Sequence, residues 1–257
     1  GIGVLFGIES RTPWDRAPSW SALRTLSKQE RLLALRDTAR RALLIREARD
    51  QPTPMDLHGV YVLPLDGRAR YDCQPADSLA AHAERRGICA AGAFIEMVLE
   101  TDGDLVVNYP FLNQRLGAVE EMLDDRLVTL GLADAGAHVS QIMDASQPTF
   151  FLTYWIRERQ RWSIEEAIRR LTSDTAELFG LRDRGVLRPG AFADVNVIDW
   201  EGLTLEQPRF VHDLPNSAGR YVQGASGYDY TLVNGAIAID HGIHTGSFAG
   251  RTLRSSD

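Results

Sequence analysis

Apolar and polar positions along the first half of the chain predict alternating strands and helices. The run IGVLFGI around Val4 is apolar and bounded by glycine, which is typical of a buried strand that enters a loop. Similar runs around Val106 and Thr129 predict two further strands. From Ser21 to Asp50, Leu and Ala recur at spacings of three and four among arginines and acids, and this period predicts helices.

A later helix, which ends before Gly180, has clear start and stop signals in the sequence. Ser163 and Glu166 have the Ser-x-x-Glu spacing of a capping box, in which each residue bonds to the backbone of the other. Gly180 follows the last apolar position of the same period, as is common just after a helix end. We therefore expect a helix from Ser163 to Phe179.

Residues 78–100 similarly predict two short helices with a glycine between them.

The pattern changes after Gly180. The remaining residues alternate apolar and polar positions between glycine turns, which predicts short β-strands. The strands and helices before Gly180 favour a parallel sheet or barrel, whereas the end of the chain favours a separate β-rich layer. A closed barrel requires eight strands, and only about three are recognised here. Either the sheet is open, or the chain is the later part of a barrel whose earlier strands precede Gly1.

Composition restricts the classes of function. The chain has 257 residues, 44% of them hydrophobic and 25% charged, so it can bury a substantial core. Its 28 basic and 35 acidic residues give a formal net charge of -7, and no basic cluster with aromatic neighbours indicates a nucleic-acid surface. The sequence shows neither an apolar run of membrane-spanning length nor the order of a signal peptide. Cys73 and Cys89 are far apart, which favours a reducing compartment, so we expect a cytoplasmic protein.

The segment GLADAGAHV, residues 131–139, places the acid Asp134 directly after a predicted strand. In α/β barrels, the loops at the carboxyl ends of the strands form the active site. Small neighbours such as Gly136 allow the backbone and a ligand to approach closely. A carboxylate there could bind a metal and transfer a proton from water to a leaving amine. An isolated Asp-x-Gly is more often a turn cap, and spacing alone does not decide between the two.

The histidines do not form a ligand pattern by themselves. His138 lies four residues after Asp134, in a segment too rich in glycine to be treated as helix, and a loop histidine bonded to backbone is an equal alternative. His241 and His244 superficially resemble a metal pair, but they fall in the turn of a predicted hairpin without a third ligand near in sequence. A solvated turn is therefore favoured for that pair. The others are isolated and expected to be structural or exposed: His58, His82 and His212.

Several passages resemble the amidohydrolase superfamily. TSDTAELFGLRDRGVLRPGAFADVNVID is similar to the passage where the last barrel helix ends and a small β-sandwich begins, and TLVNGAIAIDHGIHTGSFAGRTLR resembles the end of that sandwich. LGLADAGAHVSQIMDASQPTFFLTYWIRER is similar to the last-strand segment of one branch, amidohydrolase family 3, which includes the N-acyl-D-amino-acid deacylases or D-aminoacylases. The similarity continues through DLPNSAGRYVQGASGYDYTLVNG and, more loosely, the helix after GVLFGIES, so it covers essentially the whole chain.

The resemblance implies an α/β fold in two parts. Residues 1–182 would be the C-terminal part of a (β/α)8 TIM-type barrel of a metal-dependent hydrolase, with lid-like helical insertions, and residues 183–257 would be a small β-sandwich. It also implies hydrolysis of an amide C–N bond with one or two zinc ions. Asp134 matches the last-strand aspartate that contacts the metal and carries the proton. His138 and Gly136 are expected to contact either the substrate or the residues that bind the metal.

The chain departs from this resemblance in its metal ligands. The family's first strand carries His-x-His, and its middle strands carry a bridging Cys, Glu or carboxylated Lys and two more histidines, but no His-x-His occurs here. Lys28, the only lysine, lies in a predicted helix. A zinc site requires three or four protein ligands, and Asp134 alone cannot hold the ion tightly. We therefore expect the chain to be the C-terminal portion of a longer enzyme.

Two classes of function remain open. The first is a zinc-dependent amidohydrolase that acts on N-acyl amino acids of the D-series, with a cyclic amide or a dipeptide as the alternative substrate. The second is a non-catalytic partner subunit, or a remnant without a complete metal site, because a partial barrel exposes strand edges and apolar surface. The expected macromolecular partner is the missing N-terminal barrel portion or another copy of the chain, and neither nucleic acid nor membrane is expected.

Overall fold

The computed structural model describes residues 3–64, 66–131, 133, 135–142 and 144–253. The chain forms two compact units. The first contains Gly1–Leu116, Ala133–Ala145 and Gln207–Gln223, and the second contains Gly117–Leu132, Ser146–Glu206 and Gly224–Asp257. The domain boundary predicted between residues 182 and 183 lies inside the second unit, and that boundary stays a prediction.

Helices dominate the first unit and the early part of the second. In the part of the chain that the structure describes they are α1 (Pro18–Leu23), α2 (Lys28–Arg36), α3 (Thr38–Asp50), α4 (Leu79–Arg86), α5 (Ala90–Glu100), α6 (Leu116–Asp124), α7 (Gln147–Phe150), α8 (Ile164–Leu171) and α9 (Ser173–Leu178). α7 continues into a π-helical segment, Phe151–Glu158, and 3₁₀ turns occupy Pro75–Asp77 and Pro215–Ser217. Among these described helices, none has both the length and the apolar character that crossing a membrane requires.

The strands are short and concentrated at the end of the chain. They are β1 (Gly3–Phe6), β2 (Tyr61–Val62), β3 (Val107–Pro110), β4 (Val195–Ile198), β5 (Thr204–Leu205), β6 (Arg209–Leu214), β7 (Ala218–Val222), β8 (Ala225–Ser226), β9 (Tyr228–Val233), β10 (Ala236–Asp240) and β11 (Ile243–His244). All strands from β4 onwards follow Gly180, which confirms the predicted change from helix to strand.

A core of aromatic and aliphatic side chains holds the first unit together. Trp20, Leu35 and Phe94 are fully buried, and the rings of Trp14 and Trp20 lie 5.1 Å apart. The indole N–H of Trp20 donates to the Leu44 carbonyl oxygen at 3.0 Å, so the polar atom of this ring has a partner inside the core. These contacts join α1, α3 and α5.

Local sequence explains where several helices begin and end. The Ser27 side chain accepts from the Glu30 N–H at 3.4 Å and the Glu30 carboxylate accepts from the Ser27 N–H at 2.9 Å, which forms a capping box on α2. Ser163 caps α8 as predicted, because its hydroxyl accepts from the Glu166 N–H at 3.2 Å. Gly87 ends α4 with a φ of +64°, which confirms the predicted break between two helices.

The helix predicted from Ser163 to Phe179 is interrupted between α8 and α9. Thr172 has φ -125° and ψ -86°, which lies outside the helical region. Its hydroxyl donates to the Ile168 carbonyl oxygen at 2.6 Å, and side-chain bonds of this kind compete with the helical backbone. The apolar period continues through the break, so the pattern predicted one helix where the structure has two.

The first unit contains a three-stranded sheet in the order β1-β3-β2. Val4 pairs with Tyr109, Val62 pairs with Val107, and both pairings are antiparallel. The strands predicted around Val4 and Val106 are therefore confirmed, but the expected parallel pairing is wrong for these strands. Alternation of strand and helix predicts the order of elements, whereas strand direction depends on the path of the long helical connection between β1 and β3.

The third predicted strand, around Thr129, is not observed. Residues 128–130 have no regular structure, and Leu127 is 83% exposed. An apolar run becomes a buried strand only where a neighbouring strand covers it, and no described strand pairs with this segment. The mixed α/β content is confirmed, and the partial barrel stays a prediction.

The second unit contains a four-stranded sheet in the order β11-β10-β9-β4, with antiparallel pairing throughout. Asn234 and Gly235 connect β9 to β10 with φ of +49° and +82°, the conformation that an Asn-Gly hairpin turn requires. The pair β6–β7 belongs to the first unit, although it lies between strands of the second. The strands are thus confirmed, and their arrangement as a sandwich stays a prediction.

Candidate functional site

The segment Ala133–Ala145, which we call the acid loop, carries the predicted site residues and belongs to the first unit. Two backbone hydrogen bonds of its described residues attach it to strands of that unit. The Leu5 N–H donates to the Gln141 carbonyl oxygen at 2.7 Å, and the Tyr221 N–H donates to the Val139 carbonyl oxygen at 2.9 Å. The acid loop is therefore held by both β1 and β7.

His138 lies at a turn within the acid loop. Its carbonyl oxygen accepts from the N–H groups of Gln141 and Ile142, at 2.8 and 3.0 Å. Its φ is +45°, in the left-handed region that residues other than glycine rarely adopt, and the residue is exposed. Gly136 has φ +91° with nothing within 4 Å of a Cβ built there, so its conformation and not crowding favours glycine. The turn presents His138 where a small ligand can reach it.

Asp134 lies outside the described residues, so its predicted roles as metal ligand and proton carrier stay predictions. The roles predicted for His138 and Gly136 have the same standing. What the structure adds is the setting of these positions: the described residues on either side of Asp134 belong to one loop, attached to two strands of one unit.

The remaining histidines are dispersed over the chain. His241 Nδ1 lies 2.6 Å from Asp240 Oδ1, and this hydrogen bond raises the pKa of the imidazole. His244 Nδ1 accepts from the Gly246 N–H at 2.9 Å. Both histidines are exposed in the turn and short strand that follow β10, which agrees with a solvated turn.

The described residues do not fit a zinc site by themselves. Among residues 3–64, 66–131, 133, 135–142 and 144–253, no group of three or more His, Cys, Asp or Glu side chains could hold a metal ion. Burial raises the pKa of the Cys73 thiol to about 12, and metal binding requires the thiolate. A complete zinc site therefore needs ligands that these residues do not provide.

Lys28 is likewise unsuited to the role of a carboxylated metal ligand. Its Nζ lies 2.6 Å from Asp104 Oδ1 and 3.4 Å from Glu9 Oε2. Burial opposes the ammonium charge, but the two carboxylates outweigh burial and raise the pKa of Lys28. Carboxylation requires a neutral amine, and these carboxylates favour the protonated form.

Sequence reasoning did not single out Tyr221, whose N–H bonds to the acid loop, or its partner Ser10. Tyr221 is 3% exposed, and its hydroxyl lies 2.7 Å from Ser10 Oγ. Burial raises the pKa of Tyr221, so the hydroxyl stays protonated. The alternation of apolar and polar residues around Tyr221 is typical of a strand with this side chain inward. It does not indicate which structural unit the strand joins.

A sequence model of the amidohydrolase family matches residues 31–239 of the chain. The match is most of the chain and includes the whole acid loop and the β6–β7 hairpin.

Two curated relatives are similar over shorter stretches. An uncharacterized protein of Mycobacterium tuberculosis is 30% identical over 135 residues, which are 48% of this chain and 21% of the relative. An N-acyl-D-glutamate deacylase of Alcaligenes xylosoxydans xylosoxydans is 36% identical over 91 residues, which are 35% of this chain and 17% of the relative. The chain thus matches about a fifth of the length of these relatives.

A crystal structure of D-aminoacylase is similar to this structure with a TM-score of 0.44 and 23% sequence identity. The similarity covers 88% of this chain and 46% of the D-aminoacylase chain. A further structure of D-aminoacylase is described as having a binuclear metal centre.

Proposed function

The chain belongs to the amidohydrolase family, and on this premise we propose that it is part of an enzyme that hydrolyses the amide C–N bond of N-acyl amino acids of the D-series. The observation that carries the proposal is the family match over residues 31–239, because it includes the acid loop. The N-acyl-D-glutamate deacylase among the relatives supports the substrate class. A cyclic amide and a dipeptide are the alternative substrates, since both contain the same C–N bond.

The chemistry assigned to the chain is proton transfer by Asp134. In hydrolysis, a water oxygen attacks the acyl carbon and loses a proton, and the departing nitrogen gains one as the C–N bond breaks. Asp134 accepts the first proton and delivers the second, which a carboxylate with a pKa matched to the reaction can do. The exposed His138 contacts the substrate in this proposal, and Gly136 provides the turn between the two residues.

In this proposal, zinc binds only when ligands from outside this chain complete its site. A catalytic zinc site needs three protein ligands, and Asp134 can supply one. Because the described residues contain no group of three, we propose that the others come from a part of the protein outside this chain. The chain would then be the C-terminal portion of the enzyme, with one or two zinc ions in the complete protein. The proton transfers assigned to Asp134 require only its carboxylate.

A non-catalytic role is the second candidate for the chain on its own, and the absence of a ligand group among the described residues favours it. Several large apolar side chains of the second unit are also exposed, including Phe179 at 73% and Leu187 at 84%. Exposed apolar surface can mark a contact with another polypeptide. The partner would be the N-terminal barrel portion or a second copy of the chain, which would complete a site that this chain cannot form alone.

The substitution Asp134→Asn in the full-length protein tests the enzymatic proposal. Asn has the size of Asp but cannot carry the proton, so we expect the rate of N-acetyl-D-amino-acid hydrolysis to fall by about 10²- to 10⁴-fold. Release of the free amino acid is the measurement, with the L-enantiomer, a cyclic amide and a dipeptide assayed in parallel. The matched control is Asp50→Asn, at the exposed end of α3, which should leave the rate unchanged. Full activity in Asp134→Asn would contradict the assignment.

A further inference from the structure

The acid loop depends on other segments for its geometry. Its described residues form turns and bends, with neither helix nor strand. Among its described residues, Gln141 and Val139 accept backbone hydrogen bonds from the N–H groups of Leu5 in β1 and Tyr221 in β7. A displacement of β7 relative to β1 would therefore displace the loop or break one of these two bonds.

Tyr221 is the residue at which β7, β1 and the acid loop meet. Its ring lies in a small buried cluster with Leu5, Leu63 and Val106, and the ring of Phe210 packs edge-on against it at 5.0 Å. Its hydroxyl reaches past the end of β1 to the side chain of Ser10. The side chain of Tyr221 thus packs in one cluster with Leu5 of β1 and reaches Ser10 beyond it. Its backbone N–H bonds to Val139 of the acid loop.

Two glycines make room for this arrangement. A Cβ at Gly7 would lie 2.9 Å from the Tyr221 hydroxyl oxygen and 3.0 Å from the Leu105 carbonyl oxygen. A Cβ at Gly219 would overlap the ring of Phe210. The backbone around Tyr221 is therefore shaped to admit the tyrosine and the aromatic ring that packs on it.

We propose that Tyr221 is a positioning residue, which holds β7 against β1 and thereby fixes the acid loop and the turn at His138. The catalytic consequence rests on the proposed function, since it is Asp134 and His138 that would act on the substrate. The structural consequence does not, because the bonds to the acid loop exist whatever reaction the protein performs. Through Tyr221, β7 has a role in the site although it follows the predicted barrel in sequence.

Hydrogen–deuterium exchange on the full chain tests the structural consequence. In Tyr221→Leu, we expect the amides of Leu5, Gln141 and Ile142 to exchange at least about tenfold faster, because the bonds that protect them depend on the loop. The matched control is Leu63→Ala, which removes a side chain from the same cluster, while the Leu63 N–H bonds to Val106 and not to the loop. These amides should exchange within about twofold of wild type in the control.

A milder substitution covers the case in which Tyr221→Leu does not fold. Tyr221→Phe keeps the ring and removes only the hydroxyl that bonds to Ser10. We expect the same three amides to exchange about threefold to fivefold faster, as for the loss of one hydrogen bond. Unchanged exchange in Tyr221→Phe and Tyr221→Leu, or an equal increase in the Leu63→Ala control, would overturn the proposal.

Kinetics of the full-length protein test the catalytic consequence. We expect Tyr221→Leu to lower kcat by about tenfold or more while KM changes little, and Tyr221→Phe to retain most of the rate. Leu63→Ala should keep kcat near the wild-type value at a comparable loss of stability. An equal decrease of kcat in Leu63→Ala would show that Tyr221 only stabilises the fold and does not position the acid loop. If wild type hydrolyses no N-acyl amino acid, the proposed function fails, and the exchange experiment still decides whether Tyr221 positions the loop.

Discussion

At the scale of single residues, His138 combines an unusual backbone conformation with exposure to solvent. A φ of +45° is costly for most side chains, because Cβ approaches the following carbonyl oxygen. Its carbonyl oxygen nevertheless accepts two hydrogen bonds that close the turn. Strained conformations of this kind persist where the surrounding structure fixes them, and they are frequent at ligand sites. The conformation and exposure of His138 are therefore compatible with a role in binding.

Substitutions of His138 should separate conformation from chemistry. Asn and Gly tolerate a positive φ, so His138→Gly should leave the free energy of unfolding within about 0.5 kcal/mol of wild type. Val does not, and His138→Val should lower it by about 1–2 kcal/mol. Urea denaturation of both variants provides the measurement. Both should lose substrate affinity in the full-length protein, and equal stability of the two variants would contradict the strained turn.

A second residue, His82, should make stability depend on pH. Burial and the charges of Arg85 and Arg86 lower the pKa of His82 in the folded protein from its ordinary value of 6.5. The unfolded chain therefore binds the proton more readily, and the free energy of unfolding decreases as the pH falls below 6.5 through the lower folded pKa. His82→Gln should remove this part of the decrease.

Urea denaturation of wild type and His82→Gln between about pH 7.5 and pH 5 measures the effect. The difference in unfolding free energy between the two proteins should be constant above the ordinary histidine pKa and should change below it, because wild type loses more. A difference that does not vary with pH would show that His82 has the same pKa in both states.

At the scale of elements, the features predicted from sequence are those whose cause lies within a few neighbouring residues. The N-cap of α8 spans the four positions from Ser163 to Glu166, and the predicted bond from the Glu166 N–H to the Ser163 hydroxyl is present. The second bond of a capping box is replaced, because the Glu166 carboxylate accepts from Arg170. The break at Thr172 was not predicted, because the apolar period continues through it. The hydroxyl bond of this one side chain, which competes with the helical backbone, leaves no mark on that period. Short strands after Gly180 were predicted, but the bond from Tyr221 in β7 to Val139 was not, since it joins residues far apart in sequence.

The N-terminal cap of α8 should contribute measurably to stability. Ser163→Ala removes the oxygen that accepts from the Glu166 N–H, and we expect the free energy of unfolding to fall by about 1 kcal/mol. Ser163→Asp is the matched control, because Asp is also a good cap and suits the start of a helix. Thermal or urea denaturation of the three proteins checks this prediction. Equal losses in both variants would indicate that the cap is not what stabilises α8.

At the scale of the whole molecule, sequence order and structural units do not coincide. Each unit is assembled from three separate stretches of the chain, and the acid loop and the β6–β7 hairpin join the first unit from later positions. Composition and periodicity cannot reveal such an assembly, because it depends on contacts between distant segments. The resemblance to the amidohydrolases predicted the family, whereas the barrel, the sandwich and the role of Asp134 remain to be tested.

We propose that this chain carries the acid of an amidohydrolase site whose other metal ligands lie outside it. The most direct test measures zinc content and N-acetyl-D-amino-acid hydrolysis for the purified chain and for the full-length protein, side by side. We predict that the chain alone holds less than one equivalent of zinc and releases no amino acid, whereas the full-length protein binds zinc and is active. One equivalent of zinc together with hydrolysis by the chain alone would contradict the claim.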